Sequence, residues 1–220
     1  MIVKRSADSR GLLNWPWIQS RRTFSNNSYW DPRYMNLGDL KVINDDILAP
    51  GATVPEHEHQ GYNIYGYVVD GPCDHQDNLG NKTSIPSGAV QRMISGQGIQ
   101  HTESNNTAEP IRYIQIWFKA KNPKIIPTYG WKEIDRPKNK LVCISDLLPM
   151  DSDARLNCAH IEGSIVFEIQ PERTYYVYVV KGNGVVNGET YAEGDGFTIN
   201  DSKFIDFIGE NSEVLVIDLK

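Results

Sequence analysis

Apolar and β-branched residues recur along the chain in short runs, Leu40 to Leu48, Tyr62 to Val69, Ile111 to Phe118, Ser164 to Ile169, Tyr175 to Val180 and Val214 to Leu219, each bounded by turn-forming residues. Few longer stretches carry a helical stripe. Asn187-Gly188 stands between Val185-Val186 and Thr190-Tyr191, and both central residues of such a pair accept positive φ, so a two-residue hairpin is predicted there. The pattern predicts an all-β chain of antiparallel strands, arranged as a sandwich or barrel.

The pattern also repeats. Tyr67-Val-Val-Asp-Gly71 is echoed by Tyr178-Val-Val-Lys-Gly182, and the glycine-proline frame Gly80, Pro86, Gly88 by Gly188, Gly194, Gly196 at the same spacing. Between the two copies, Pro123 to Lys140 holds Pro123, Pro127, Gly130 and Pro137 among basic residues, the composition of a surface linker. Two domains are expected, residues 1–135 and 136–220.

Composition narrows the function classes. The 220 residues are 40% hydrophobic and 23% charged, with glycine and proline dispersed, which argues against disorder, collagen and coiled coil. Charge is −6, and no basic run exceeds the pairs Lys4-Arg5 and Arg21-Arg22, so direct nucleic-acid binding is disfavoured. Lys4, Arg5, Asp8 and Arg10 occupy the region where a signal peptide needs apolar residues, and the longest apolar run is too short to cross a bilayer. A cytoplasmic protein without a membrane partner is expected. Cys73, Cys143 and Cys158 form no C-x-x-C pair, and they are expected as small buried residues rather than a disulfide framework or thiolate metal site.

Candidate chemistry gathers in Glu56-His57-Glu58-His59 and His101-Thr102-Glu103. Alternate residues of a strand share a face, so His57 and His59 can converge while Glu56 and Glu58 point away, and the same spacing pairs His101 with Glu103. Two neighbouring strands would then offer three imidazoles and one carboxylate, a set suited to a divalent transition metal with open positions. Spacing alone is equally compatible with a chance His-x-His in a polar turn and a hydrogen-bonded core His101.

The glycine frame separates these readings. Gly51, His57 and His59, followed by Gly80, Pro86 and Gly88, have the spacing of a cupin signature. The longer segments Ala49 to His59, Gly61-Tyr62 through Gly71, Asp74 to Asn81 and Ser95 to Glu103 resemble the pirin family, and Thr23-Phe-Ser25, Tyr29 to Pro32 and Leu40 to Asp46 resemble bacterial pirins of the quercetinase-like kind. The resemblance implies a bicupin, two antiparallel jelly-roll barrels in one chain, whose N-terminal barrel binds iron(II) through His57, His59, His101 and Glu103. Nickel, cobalt, manganese, copper and zinc are accepted by the same ligand types. The C-terminal barrel, with His160 as its lone histidine, is expected to bind no metal. His101 lies further beyond Gly88 than in ordinary cupins, as in pirins. Asn63 stands where pirins usually have glutamate, which implies the loss of a carboxylate beside the metal.

By resemblance the activity is that of a quercetin 2,3-dioxygenase, a metal-dependent oxygenase that cleaves a flavonol-like aromatic substrate with O2 and releases carbon monoxide. Glu103 is then the catalytic base as well as a ligand. Two alternatives stay open: an iron-binding regulatory protein acting through a protein partner, as eukaryotic pirins are, and a cupin enzyme for another small molecule. Other features carry less. His75 and His160 are expected to make structural hydrogen bonds, Gly96-Gln97-Gly98 to bend the chain rather than hold a dinucleotide, and the sequons at Asn26, Asn81 and Asn105 to be chance matches. Most aromatics are assigned to core, with Tyr62 the candidate for contact with a flat ligand.

Overall fold

The period-2 patterning becomes eighteen β-strands, accompanied by one single-turn α-helix, Ile144–Leu147, and a short 3-10 turn at Ala7–Ser9. A computed structural model describes residues 1–220 in full. No helix is long and apolar enough to cross a membrane. The chain divides into two units, one formed by Gly11–Ile134 with Met150–Ser152, the other by Met1–Arg10, Asp135–Pro149 and Asp153–Lys220. Strand β1 (Ile2–Arg5) belongs to the second of these.

The histidine-bearing unit contains β2 (Gly11–Trp15), β3 (Ile18–Arg22), β4 (Leu40–Leu48), β5 (Thr53–His59), β6 (Tyr62–Asp70), β7 (Pro72–Asp77), β8 (Lys82–Pro86), β9 (Ala89–Ile94), β10 (Ile99–Ser104), β11 (Ile111–Lys119) and β12 (Thr128–Glu133). All pairings are antiparallel, in a four-stranded sheet of order β5-β10-β7-β8 and a seven-stranded sheet of order β12-β9-β6-β11-β4-β3-β2. Ile18, Leu48, Val68, Cys73, Ile85, Ile111 and Tyr113 form a buried apolar cluster, and Ile64, Met93 and Ile99 form a second one. Burying such side chains contributes about 1.5–3 kcal/mol each and fixes which face of every strand turns inward.

Strand β12 corrects the linker expected over Pro123 to Lys140. Thr128–Glu133 pairs along the whole of β9, because Tyr129 and Trp131 alternate with polar residues and pack on the two apolar clusters. Proline and lysine counts masked this short alternation. The bend at Gly96 to Gly98 is present. Gly96 has φ +45°, and a Cβ there would lie 1.9 Å from the Ile125 carbonyl oxygen, so the chain can enter β10 at this angle only with glycine.

In the other unit, β1 is joined by β13 (Val142–Cys143), β14 (Arg155–Glu168), β15 (Thr174–Val186), β16 (Glu189–Tyr191), β17 (Gly196–Ile199) and β18 (Phe204–Leu219). They form one antiparallel sheet of order β1-β17-β15-β18-β14-β13, with β16 on β15. Val177, Val179, Phe197, Phe207, Val214 and Val216 lie at the centre of its core. Val186 pairs with Glu189 across the predicted two-residue hairpin, where Asn187 and Gly188 have φ of 45° and 82°. Met1–Arg10, expected in the N-terminal barrel, fold with this unit instead, because β1 pairs with β17 from Ile2–Ile199 to Arg5–Gly196. His160 is half-buried and lies 3.7 Å from Glu162, in no group of metal-ligating side chains. Cys73 and Cys158 are buried and free; Cys143, expected buried, is only half-buried.

Candidate metal centre

The four-stranded sheet carries the histidines on its inner face. Along β10 the residues Ile99, His101 and Glu103 are buried while Gln100 is exposed, and along β7 the buried set is Cys73, His75 and Asp77. On β5, Glu56 and Glu58 are exposed, His57 is half-buried and His59 is buried. Register places His101 beside His57 on one flank and Asp77 on the other, and Glu103 beside His75. One extra residue in β5 between Val54 and His57 shifts the ladder, and Glu103 therefore pairs with Val54.

The side chains converge. Ring centroids lie 4.6 Å apart for His57 and His59, 4.5 Å for His57 and His101, and 5.0 Å for His59 and His101. One ligand nitrogen from each lies within 4.8 Å of the others. His57 Nδ1 donates to the Pro55 carbonyl oxygen at 2.8 Å, and since a carbonyl only accepts, Nε2 of that ring is left with its lone pair. His59 Nε2 and both ring nitrogens of His101 are buried without any hydrogen-bond partner. Burial first, and then the charge of His57, holds His59 down at about 3; burial, His57, His59 and His75 hold His101 at about 2. Both rings are thus neutral at pH 7. Neutral imidazoles with unpaired nitrogens, brought together at the edge of a cleft, fit a divalent transition metal.

Glu103 lies outside this group of three. Its Oε1 accepts from Gln91 Nε2 at 2.8 Å and its Oε2 from Gln115 Nε2 at 3.1 Å. Burial, then the charge of Asp46, pushes its carboxyl up to about 7, while hydrogen bonding to the carboxylate pulls the other way. Gln91 Oε1 accepts from the Tyr129 hydroxyl at 3.1 Å, and Gln115 Oε1 accepts from Trp117 Nε1 at 3.2 Å. Gln91 reaches Glu103 across Gly66, its neighbour in the sheet, where a Cβ would come within 2.7 Å of Gln91 Nε2.

His75 makes the structural hydrogen bond expected of it and stacks beside the site as well. Its Nε2 donates to Asp77 Oδ2 at 2.9 Å, its ring stacks on Tyr129 with centroids 3.9 Å apart, and it lies 5.3 Å from His101. Burial lowers its pKa, an effect the Asp77 bond partly offsets. The Asn63 amide donates to the Asp151 carbonyl oxygen and accepts from the Asp151 N–H, both at 3.0 Å, so this side chain holds Met150–Ser152 in place.

His57 and His59 open onto a cleft of about 650 Å³, walled by Trp15, Trp17, Tyr62 and Trp117. The Trp117 ring lies 4.6 Å from that of His59. Gln91, Gln115, Tyr129 and Gly66 were not legible as site residues from motifs. One signal existed: Gln115 is the polar member of the inward series Ile111, Tyr113, Gln115, Trp117, in a strand otherwise apolar on that face.

Comparison with known proteins places these residues in a wider set. Residues 4–118 match the family model described as Pirin, and residues 145–219 match the model described as the quercetinase C-terminal cupin domain. A protein of Escherichia coli K12 named quercetin 2,3-dioxygenase is 35% identical over 100% of this chain and 99% of its own length. A pirin-like protein of Caulobacter vibrioides is 34% identical over 99% of each. The crystal structure of the bacterial pirin YhhW from Escherichia coli, in complex with nickel(II), superposes with a TM-score of 0.93 at 35% identity, covering 100% of this chain and 99% of that one.

Proposed function

Because the chain belongs to the pirin family, we propose that it is a metal-dependent dioxygenase that cleaves a flavonol-like aromatic substrate with O2. The observation that carries this reading is the convergence of His57, His59 and His101 beside an aromatic-walled cleft. In the proposed site these three side chains hold one divalent metal, iron(II) in this reading, with Glu103 as the fourth group. Bound there, the metal supplies Lewis acidity and coordination positions for the reactants.

The remaining work falls to the chain's own residues. Trp117 and Tyr62, with ring centroids 5.6 Å apart, and Trp17 border the cleft and offer flat apolar surface to an aromatic substrate. Glu103 is the base in this reading. Two amide donors, Gln91 and Gln115, hold its carboxylate in place and leave lone-pair capacity to be shared between the metal and a substrate hydroxyl proton. Burial tunes it towards neutrality, the range in which a general base works best at physiological pH. Trp117 and Tyr129 each fix the other end of one glutamine, so that neither amide can turn away.

The test is turnover. Protein stripped of metal and reconstituted with iron(II), nickel(II), cobalt(II) or manganese(II) is given a panel of flavonols under oxygen. The reading expects ring cleavage with stoichiometric carbon monoxide for at least one pairing. Full metal loading with no cleavage of any flavonol would overturn it.

A further inference from the structure

The seven-stranded sheet presents to the cleft a block of polar side chains that nothing in the metal site uses. Ser20 and Arg22 on β3 stand directly opposite Asp46 and Asn44 on β4, and all four side chains line the cleft and are more than nine-tenths buried. Two are partly engaged, with Arg22 Nε left buried and without a hydrogen-bond partner. The Arg22 guanidinium donates from Nη1 to Asn26 O at 2.8 Å and to Ser28 Oγ at 3.4 Å, and it faces the Asp46 charge; Asp46 Oδ2 accepts from Gln115 at 3.3 Å. The other two are idle. The Ser20 hydroxyl and the Asn44 Oδ1 have no hydrogen-bond partner in the protein, although burying such groups unpaired is costly.

We propose that Ser20 and Asn44 form a hydroxyl-recognition subsite, which selects polyhydroxylated over sparsely hydroxylated flat aromatic ligands. The proposal rests on the dioxygenase reading and specifies its substrate class. A hydroxyl and a primary amide each donate and accept, as a phenolic hydroxyl does, so the match is to a neutral O–H group. The neighbouring Arg22 and Asp46 charges face each other, which leaves no unbalanced charge within the block itself to attract a carboxylate or an ammonium group. Position agrees with this. Asn44 is the cross-strand neighbour of Gln115, about 4.8 Å away in a sheet, and the Gln115 amide bonds the base Glu103; Ser20 lies one strand further, on β3. The histidines, Trp117 and the block line the same cleft, so a ligand with one end at the histidines and its ring on Trp117 directs its further hydroxyls into the space that the block borders.

Binding, not turnover, tests this. Quercetin and 3-hydroxyflavone share the flavonol core and differ in their remaining ring hydroxyls. Both are titrated anaerobically into the metal-loaded protein, and affinity is read from quenching of tryptophan fluorescence. Wild type should prefer quercetin by about tenfold or more, since each ordinary hydrogen bond is worth about three- to tenfold. In Ser20→Ala/Asn44→Leu, which keeps volume and adds no charge, the preference should shrink to about threefold or less. Should that variant fold poorly, judged by metal content and thermal melting, the single changes Ser20→Ala and Asn44→Ala are each expected to give part of the loss. An unchanged preference in folded variants, or equal affinities in wild type, overturns the subsite while the dioxygenase reading stands. If neither flavonol binds metal-loaded wild type, the dioxygenase reading falls and the subsite with it.

Discussion

The Gln91 side chain occupies the space that a Cβ on Gly66 would fill, and from there its Nε2 donates to Glu103 at 2.8 Å. Gly66 lies outside the positive-φ region, so alanine is acceptable to the backbone and its effect is steric. Gly66→Ala is expected to push the Gln91 amide off Glu103 and, with Glu103 in its proposed role as a ligand, to weaken metal affinity about 10- to 100-fold, the usual consequence of losing a group that orients a metal ligand. In a Gln91→Ala background the same change should be nearly silent. A double-mutant cycle on metal affinity should therefore return a coupling of about 1.4–2.8 kcal/mol, the 10- to 100-fold effect itself. Additive effects would show that Gly66 acts by another route.

Glu103→Gln separates two roles. The amide oxygen can still accept from one of the two glutamines, while its NH2 opposes the donor of the other, and the group no longer accepts a proton. Turnover is expected to fall by about 10² to 10⁴, with a smaller loss of metal affinity. Wild-type turnover in this variant would remove Glu103 as the base and leave it at most a ligand.

The metal-free protein should lose stability in acid with a distinctive slope. His59 and His101 stay neutral in the fold to about pH 3 and about pH 2 but protonate near 6.5 when unfolded, so the unfolded chain gains protons and stability as pH falls below 6.5. Glu103 acts in the opposite sense between 7 and 4.5, where the fold binds the proton and gains stability. The net loss is therefore shallow from about pH 6.5 to 4.5 and steeper from about 4.5 to 3. Urea titrations of metal-free wild type and of His59→Asn/His101→Asn check this: the variant should show a flatter dependence over the same range. Parallel curves would contradict the assigned cause.

Asn105 supports the loop that follows β10. Its Nδ2 donates to the carbonyl oxygens of Leu48, Ala49 and Glu109 at 2.8–3.0 Å, and its Oδ1 accepts from the N–H and the hydroxyl of Thr107. Asn105→Ala leaves several buried acceptors unpaired and should cost about 2–4 kcal/mol in chemical denaturation. A cost within the surface range of about 0.5 kcal/mol would refute this role. The same burial explains the sequon at Asn105: an asparagine with no exposed surface and a fully bonded amide is a structural residue, in agreement with its reading as a chance match.

How much the sequence disclosed depends on the range of each interaction. The strands, the Asn187-Gly188 hairpin and the inward pairing of His57 with His59 follow from local alternation, and they were legible. The convergence of His101 needed two strands to be neighbours, which the glycine frame and family resemblance supplied. What stayed hidden depends on long-range register. Gln91, Gln115 and Tyr129 meet Glu103 and His75 only because β9, β11 and β12 lie in the facing sheet, and Asn63 meets Asp151 across a sequence separation no motif spans. Strand β12 was obscured by flanking prolines, and the pairing of β1 with β17 by the length of chain between them.

Metal stoichiometry tests the central claim most directly. Protein reconstituted with one divalent metal at a time and freed of excess ion is measured by elemental analysis, for wild type and for His57→Ala, His59→Ala and His101→Ala. The account predicts one metal per chain in wild type and an affinity reduced by about tenfold or more in each variant, since a lost ligand costs more than the roughly 1.4 kcal/mol that a factor of ten represents. A content near two per chain, or undiminished binding by His101→Ala, would contradict it.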